Sequence, residues 1–315
     1  MPNTVAIISS YNAGEYLKTA VDSLIGQTEK ASRVVVIDDC STDDSIASIR
    51  HYANDGIIDI ISNSKNVGKA ESLNNCFNKY EADYFVLLDS DDIAKPDRIE
   101  KQNAFMEANP EVACSSAFIE YINARGDVIG KGELDLLDDE RLNQYLAGKE
   151  PFGLFCPAVI IRSEIVKKPE LQFRKQFWPA DDVDLWNRIA EAGFIVRAQP
   201  ISLVQYRIHG NSAVTSGFYK TRMQFEWLRE CLRARRDGID EPTREEFMKR
   251  WESSGSITKI NRWRKITAKG VYRSAGFRYA EKRFVNTCFL LLLAFILQPI
   301  YVSRRIMVQG NVRSK

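Results

Sequence analysis

Histidine is scarce in this 315-residue sequence, where only His51 and His209 occur. The six cysteines (Cys40, Cys76, Cys114, Cys156, Cys231, Cys288) lie far apart, with no CxxC pair and no histidine nearby at ligand spacing. That pattern excludes a zinc-finger framework and reads as scattered small hydrophobes in a reducing compartment. No GxGxxG follows the first apolar run and no GxxxxGK[ST] occurs anywhere. Their absence argues against dinucleotide oxidoreductases and P-loop phosphotransferases. The opening MPNTVAIISSYN lacks the charged start, long apolar stretch and cleavage site of a signal peptide, so the expected location of any catalytic region is the cytoplasm. Internal repeats and low-complexity tracts are missing as well.

What is present is a large apolar content, 44% of residues, enough for a sizeable core. The net charge of +2 conceals an asymmetry: residues 227–315 carry 20 Lys/Arg against 8 Asp/Glu, leaving −10 for the first 226. An acidic first part suits a site that collects a divalent cation, and a basic tail suits a phosphate-bearing surface.

Residues 5–9, 34–37, 57–61 and 84–88 are short apolar runs that read as strands buried on both faces. Helical patterns separate them, with Leu17, Val21 and Leu24 at helical spacing in the first. Strands alternating with helices imply a layered α/β fold with a parallel sheet, whose ligands lie beyond the carboxyl ends of the strands. Polar clusters stand at those ends: Ser10-Tyr11-Asn12, Asp38-Asp39, and Asp89 with Asp91 and Asp92. Three carboxylates in four positions repel one another unless a cation or a set of donors compensates. Asp92 is expected to cap the helix that follows. Beyond residue 109 the pattern predicts a hairpin over 117–129, a helix over 134–148, a strand over 157–161, a helix over 184–192 and two last strands at 194–198 and 202–208.

Six segments, VAIISSYNAGEYLKTAVDSLIGQT, VVVIDDCSTDDS, NVGKAESLNN, LLDSDDIAKPDRI, PADDVDLWNRIAEAGF and YRIHGNS, stand in the order found in glycosyltransferase family 2. The chain resembles that family over roughly its first two thirds. The resemblance implies the GT-A fold, a Rossmann-like, mostly parallel sheet flanked by helices and mixed in direction at its far side. It also implies an inverting transfer of sugar from a nucleotide-sugar donor, a UDP- or dTDP-sugar, in bacterial surface-polysaccharide assembly. On this resemblance Ser9 and Tyr11 lie against base and ribose and Asp39 accepts from the base edge. Lys69 either reaches a phosphate or simply begins a helix. Asp89-Ser90-Asp91 matches the D-x-D motif, with Asp91 on Mg²⁺ or Mn²⁺ and Asp89 and Ser90 on the nucleotide-sugar side, Asp89 holding ribose or metal water. Asp182, second of the pair Asp181-Asp182, is the implied catalytic base, and Asp181 departs from the family's usual glutamate. His209 is implied near metal or diphosphate, with a structural role as the alternative. Cys40 replaces a glycine common after the aspartate pair.

The expected division is a catalytic domain over 1–220 and a basic helical region over 221–315. Within the latter, residues 284–303 only just reach the ~20 residues needed to span a ~30 Å core. Asn286, Thr287, Gln298 and Pro299 interrupt them. Flanking Lys282-Arg283 and Arg304-Arg305 fit a helix lying shallowly on an anionic leaflet. The reading is peripheral attachment at the cytoplasmic side of the inner membrane; a core helix of a C-terminal bundle or a dimer interface is the alternative. No nucleic-acid reader motif accompanies the charge. The acceptor is then a hydroxyl of a glycan or lipid-linked saccharide. A non-catalytic nucleotide-sugar-binding or scaffold subunit of a membrane complex remains the rival reading.

Overall fold

The computed structural model describes residues 1–148, 150–208, 218–280 and 283–305. The chain opens with β1 (Thr4–Ser10), α1 (Tyr16–Ile25), β2 (Arg33–Asp38), α2 (Ser45–Asn54), β3 (Asp59–Ser62), α3 (Lys69–Lys79) and β4 (Tyr84–Asp89). It continues through β5 (Ile93–Ala94), α4 (Arg98–Ala108), β6 (Val112–Ile122), β7 (Val128–Gly132) and α5 (Asp139–Ala147). After β8 (Val159–Arg162) and the single turn α6 (Ser163–Val166) come α7 (Asp181–Glu191) and β9 (Ile195–Arg207).

These strands form one nine-stranded sheet in the order β3-β2-β1-β4-β8-β6-β9-β5, with β7 paired to β6. The first four strands pair parallel, β8 runs antiparallel to both β4 and β6, and β6 and β9 are parallel again. The α/β, GT-A-like architecture expected from the sequence is therefore the one observed, direction change included. The apolar runs are the cause. Val5 and Ile7 face one core with Phe77, Phe85 and Trp186, while Ala6 and Ile8 face the other with Leu17, Leu24 and Val86. Alternate side chains of one strand thus anchor helices on both sheet faces.

Three details differ from the sequence reading. The last two predicted strands are one strand, β9, whose register against β6 jumps from Ala117↔Gln199 to Phe118↔Ser202. Pro200 and Ile201 form the irregularity, because proline has no N–H for the ladder. Helix α7 starts at Asp181, so the acids belong to its first turn, and the helix expected over 134–148 begins only at Asp139.

Residues 1–212 with 228–241 form one compact unit, and 213–227 with 242–315 form a second. The second contains the first half of α8 (Phe218–Arg236), with α9 (Arg244–Ser253), α10 (Ser256–Ala280) and α11 (Phe284–Leu297). A capping box starts α9: Thr243 accepts from the Glu246 amide while Glu246 accepts from that of Thr243. The Arg262 guanidinium lies 3.5 Å from the centre of the Trp251 ring, and Tyr272 meets Tyr301 edge-on at 5.7 Å. On α11, Val285, Phe289, Leu292 and Ile296 are exposed and share one face. Among the described residues no helix is long and apolar enough to cross a membrane.

Candidate active site

Strand register places the polar strand ends together. Ser10 lies opposite Asp38, and Ser9 opposite Asp89, so β1, β2 and β4 finish at one edge of the sheet. The turns beyond them are stitched to each other: Asn12 Oδ1 accepts from the Thr42 amide at 2.8 Å and Asp43 from the Gly14 amide at 2.9 Å. Tyr11 follows β1 with 52% of its surface exposed, leaving a ring face available. Ser9, near the end of β1, is half-buried. In the β2–α2 turn Cys40 has φ 67°, a conformation that glycine adopts at no steric cost.

Asp39 is 3% exposed and organises the loop before α3. Its Oδ1 accepts from Asn63 Nδ2 and the Val67 amide, both at 2.9 Å, and its Oδ2 from the Gly68 amide at 2.8 Å. Three of roughly four acceptor positions on this carboxylate are thereby used by the chain itself. Gly68, at φ 91°, delivers Lys69 to the first position of α3. There the Lys69 ammonium forms an ion pair with Asp89 Oδ1.

Asp89, Asp91 and Asp92 each offer a carboxylate oxygen within 4.8 Å of the others. Ser90, half-buried, turns the chain between the first two. Asp92 does not cap the next helix, contrary to expectation. Asp97 holds the N-cap of α4 without a side-chain bond, whereas Asp92 is 1% exposed and its Oδ1 accepts from the Arg207 amide at 2.7 Å. The pairing of β5 with β9 brings these segments together, which the local sequence does not encode. Burial first, then the charges of Asp91 and Asp89, pushes the Asp92 carboxyl well above the ordinary range. Its Oδ2 is buried without a hydrogen-bond partner. An orphaned acceptor beside two further carboxylates fits a hard divalent cation, which prefers oxygen ligands.

Two arginines that the sequence reading passed over brace this turn. Arg207 donates through Nε to the Asp91 carbonyl at 2.8 Å and through Nη1 to the carbonyls of Asn123 and Ala124, with its guanidinium over the Tyr16 ring. Arg98 is fully buried, its Nη2 donating to the Leu87 carbonyl at 2.7 Å, and burial pushes it down to about 9. Its signal was an arginine beginning a helix behind a buried strand, indistinguishable in sequence from a solvated one.

The remaining acids stand at the start of α7. Asp181 is buried and Asp182 half-buried, with Asp182 Oδ1 accepting from the Val183 amide at 2.7 Å. Burial pushes the Asp181 carboxyl up to about 6 against the pull of Lys69. Burial and then the Asp181 charge push Asp182 up to about 7, with Lys69 opposing and Asp89 adding to the rise. Burial works to lower the Lys69 ammonium, but Asp89, Cys156 and Asp181 outweigh it and hold it well above the ordinary lysine value. Asp89, Lys69, Asp181 and Asp182 thus share one electrostatic neighbourhood, and Asp39 reaches it through Gly68. His209 lies outside the described residues. His51 sits on α2, tilted against Tyr52 and remote in sequence from these groups.

A charge network secures α7. Asp184, fully buried, accepts from Arg174 Nε at 2.8 Å and Nη2 at 2.6 Å and from Arg188 Nε at 2.9 Å. Arg174 also bonds Glu241, and Arg235 joins Glu241 to Glu191 at the other end of the helix.

Comparison with known proteins agrees with this fold. The sequence pattern of "Glycosyl transferase family 2" matches residues 5–167. The amylovoran biosynthesis glycosyltransferase AmsE of Erwinia amylovora is 30% identical over 237 residues, covering 72% of this chain and 85% of AmsE. Residues 1–349 of S. aureus TarS, solved with UDP-GlcNAc, superpose with a TM-score of 0.57 at 15% identity, covering 94% of this chain and 92% of that one. The mannosyltransferase PcManGT of Pyrobaculum calidifontis, solved with GDP-Man and Mn²⁺, gives a TM-score of 0.53 at 14% identity, covering 100% and 81%. The fold is the one shared by these solved glycosyltransferases. This chain belongs to glycosyl transferase family 2, whose members are inverting glycosyltransferases.

Proposed function

We propose that this protein transfers a sugar from a UDP- or dTDP-sugar to a hydroxyl of a glycan or lipid-linked acceptor in polysaccharide biosynthesis, with Mg²⁺ or Mn²⁺ as cofactor. One observation carries the reading: carboxylate oxygens of Asp89, Asp91 and Asp92 lie within 4.8 Å of one another, with Lys69 paired to Asp89; beside this cluster, burial and Asp181 push Asp182 up to about 7. A base with that value is ionised in a large fraction of molecules near neutrality yet still basic enough to take a hydroxyl proton in the transition state.

Tyr11 offers its exposed ring to the base, with Ser9 at the ribose, and Asp39 has an unused acceptor position on Oδ2 for a pyrimidine N–H. Asp91 would hold the cation and Asp89 would hold ribose or cation-bound water, with Ser90 in the same turn. A bound cation would stabilise the negative charge that develops on the leaving diphosphate. Asp182 takes the acceptor proton as the acceptor oxygen bonds to the anomeric carbon. The bond from that carbon to the diphosphate oxygen breaks, and its electron pair leaves with the nucleoside diphosphate. A single displacement inverts the anomeric centre. The rival scaffold reading predicts no turnover. AmsE, named for amylovoran biosynthesis, supports the polysaccharide context, and the Mn²⁺ in PcManGT supports the cofactor.

Residues 1–220 are the proposed catalytic domain and 221–315 the attachment region. The apolar face of α11, within the segment 284–303, would lie shallowly in the inner leaflet, with Arg283, Arg304 and Arg305 at anionic headgroups on the cytoplasmic side.

The test is a panel of nucleotide sugars assayed for donor hydrolysis and for transfer to mixed acceptors, run on wild type and Asp182→Asn. The variant should bind donor and transfer nothing. Normal turnover by Asp182→Asn removes Asp182 from the mechanism, and absence of any donor hydrolysis by wild type favours the scaffold.

A further inference from the structure

Five carboxylates converge on this site, and one lysine answers four of them. Lys69 pairs with Asp89 and opposes the upward shifts of Asp92, Asp181 and Asp182. The nearby arginines are committed elsewhere: Arg98 is sealed against the carbonyls of Leu87 and Val159, and Arg207 holds those of Asp91, Asn123 and Ala124. Lys69 differs in kind. Its backbone is pinned, because the preceding Gly68 amide is bound by Asp39, but its side chain is 22% exposed and carries its charge on a flexible four-carbon stem. The ammonium can therefore leave Asp89 without any movement of α3.

A divalent cation entering while that ammonium is in place meets two obstacles. Asp89 Oδ1 already has its partner, and a third positive charge nearby repels the ion. A nucleoside diphosphate removes both, since its phosphate oxygens are ready acceptors for a lysine ammonium. We propose that Lys69 is a resident counter-cation: it neutralises Asp89 while the donor is absent, keeps divalent metal off that carboxylate, and passes to the donor's diphosphate on binding. Metal and nucleotide then load together rather than independently. By linkage, each raises the other's affinity by the same factor, and part of that factor belongs to Lys69. The inference rests on the metal-dependent reading above, but concerns binding order rather than chemistry.

The test titrates Mn²⁺ by electron paramagnetic resonance of the free ion, with and without UDP, on the full-length wild type, Lys69→Met and Lys69→Arg. With Mn²⁺ alone, Lys69→Met should bind at least about tenfold more tightly than wild type, as removal of a unit positive charge a few ångströms from a dication predicts. Lys69→Arg, which keeps the charge, should stay at the wild-type value. UDP should raise Mn²⁺ affinity by a larger factor in wild type than in Lys69→Met. Equal or weaker Mn²⁺ binding by Lys69→Met, or an undiminished UDP effect, overturns the proposal. Lys69→Gln replaces the methionine variant if the latter does not fold, as judged by circular dichroism. Asp91→Asn separates the two readings: with UDP present it should lose Mn²⁺ whatever the fate of Lys69. If it binds Mn²⁺ as wild type does, the metal site fails first and the role of Lys69 with it.

Discussion

Asp182→Asn should make this protein more stable while it makes it inactive, and the gain should depend on pH. Burial and Asp181 raise the Asp182 carboxyl from its ordinary 3.8 to about 7 in the folded chain. Between those values the native state holds a proton that the unfolded state has released. Stability therefore falls as pH rises through this window, and is lower by the full amount once pH passes about 7. A shift of about three units at ~1.4 kcal/mol each corresponds to a cost on the order of 4 kcal/mol. The side chain keeps some contact with water, so this figure is a ceiling. Asparagine cannot ionise, and a neutral amide of the same shape escapes the cost. Urea denaturation of the two proteins, metal-free and at matched ionic strength, should give nearly equal unfolding free energies near pH 3, an advantage for Asp182→Asn of about 1 kcal/mol at pH 4.5, a larger one at pH 6 and 7, and a plateau by pH 8. An advantage that is absent at pH 8, or the same at every pH, refutes the claim that the folded site strains to ionise this group. The same experiment weighs function against stability, since the charge that costs folding energy is the one proposed to accept the acceptor's proton.

Three further perturbations follow from the same geometry. Cys40→Gly should stabilise the fold by roughly 0.5–1 kcal/mol, because relief of the left-handed strain of ~1–2 kcal/mol exceeds the added backbone entropy of glycine in the unfolded chain; a lower denaturation midpoint contradicts it. Asp184→Ala strands Arg174 and Arg188 around a vacated buried site and should cost about 3–5 kcal/mol, read as a lower urea midpoint; a change below 1 kcal/mol means the network adds little. Vesicles rich in phosphatidylglycerol should retain the protein in flotation more than neutral vesicles do, and Phe289→Asp combined with Ile296→Asp should abolish retention; equal flotation with neutral vesicles contradicts the anionic preference.

Much of the first unit was legible in the chain. Strands β1, β2 and β4 are nearly continuous apolar runs because both their faces are covered, and such runs cannot be mistaken for solvated helix surface. Elements away from that centre were harder to read. The two-residue β5 is too short to show any period. β9 reads as two strands because Pro200 punctuates it, although pairing with the long β6 carries the ladder across the gap. Among the candidate residues, Asp91 was legible in an acidic cluster at the end of an apolar run, and Asp182 only through the family resemblance of its motif. Arg98 and Arg207 were not, since an arginine's spacing does not say whether its guanidinium faces water or a row of carbonyls.

By itself the sequence determined the alternation of strand and helix, and with it the edge at which the polar turns gather, since hydrophobic period and turn chemistry are local properties. Tertiary structure alone decided how the acids are divided among tasks. Asp39 became the clasp of the loop before α3, Asp92 was sealed under the Arg207 amide, and Asp89 received Lys69 as its partner. Those outcomes depend on which segments long-range pairing brings within hydrogen-bond reach, and a carboxylate's role is set by its neighbours in space rather than in the chain.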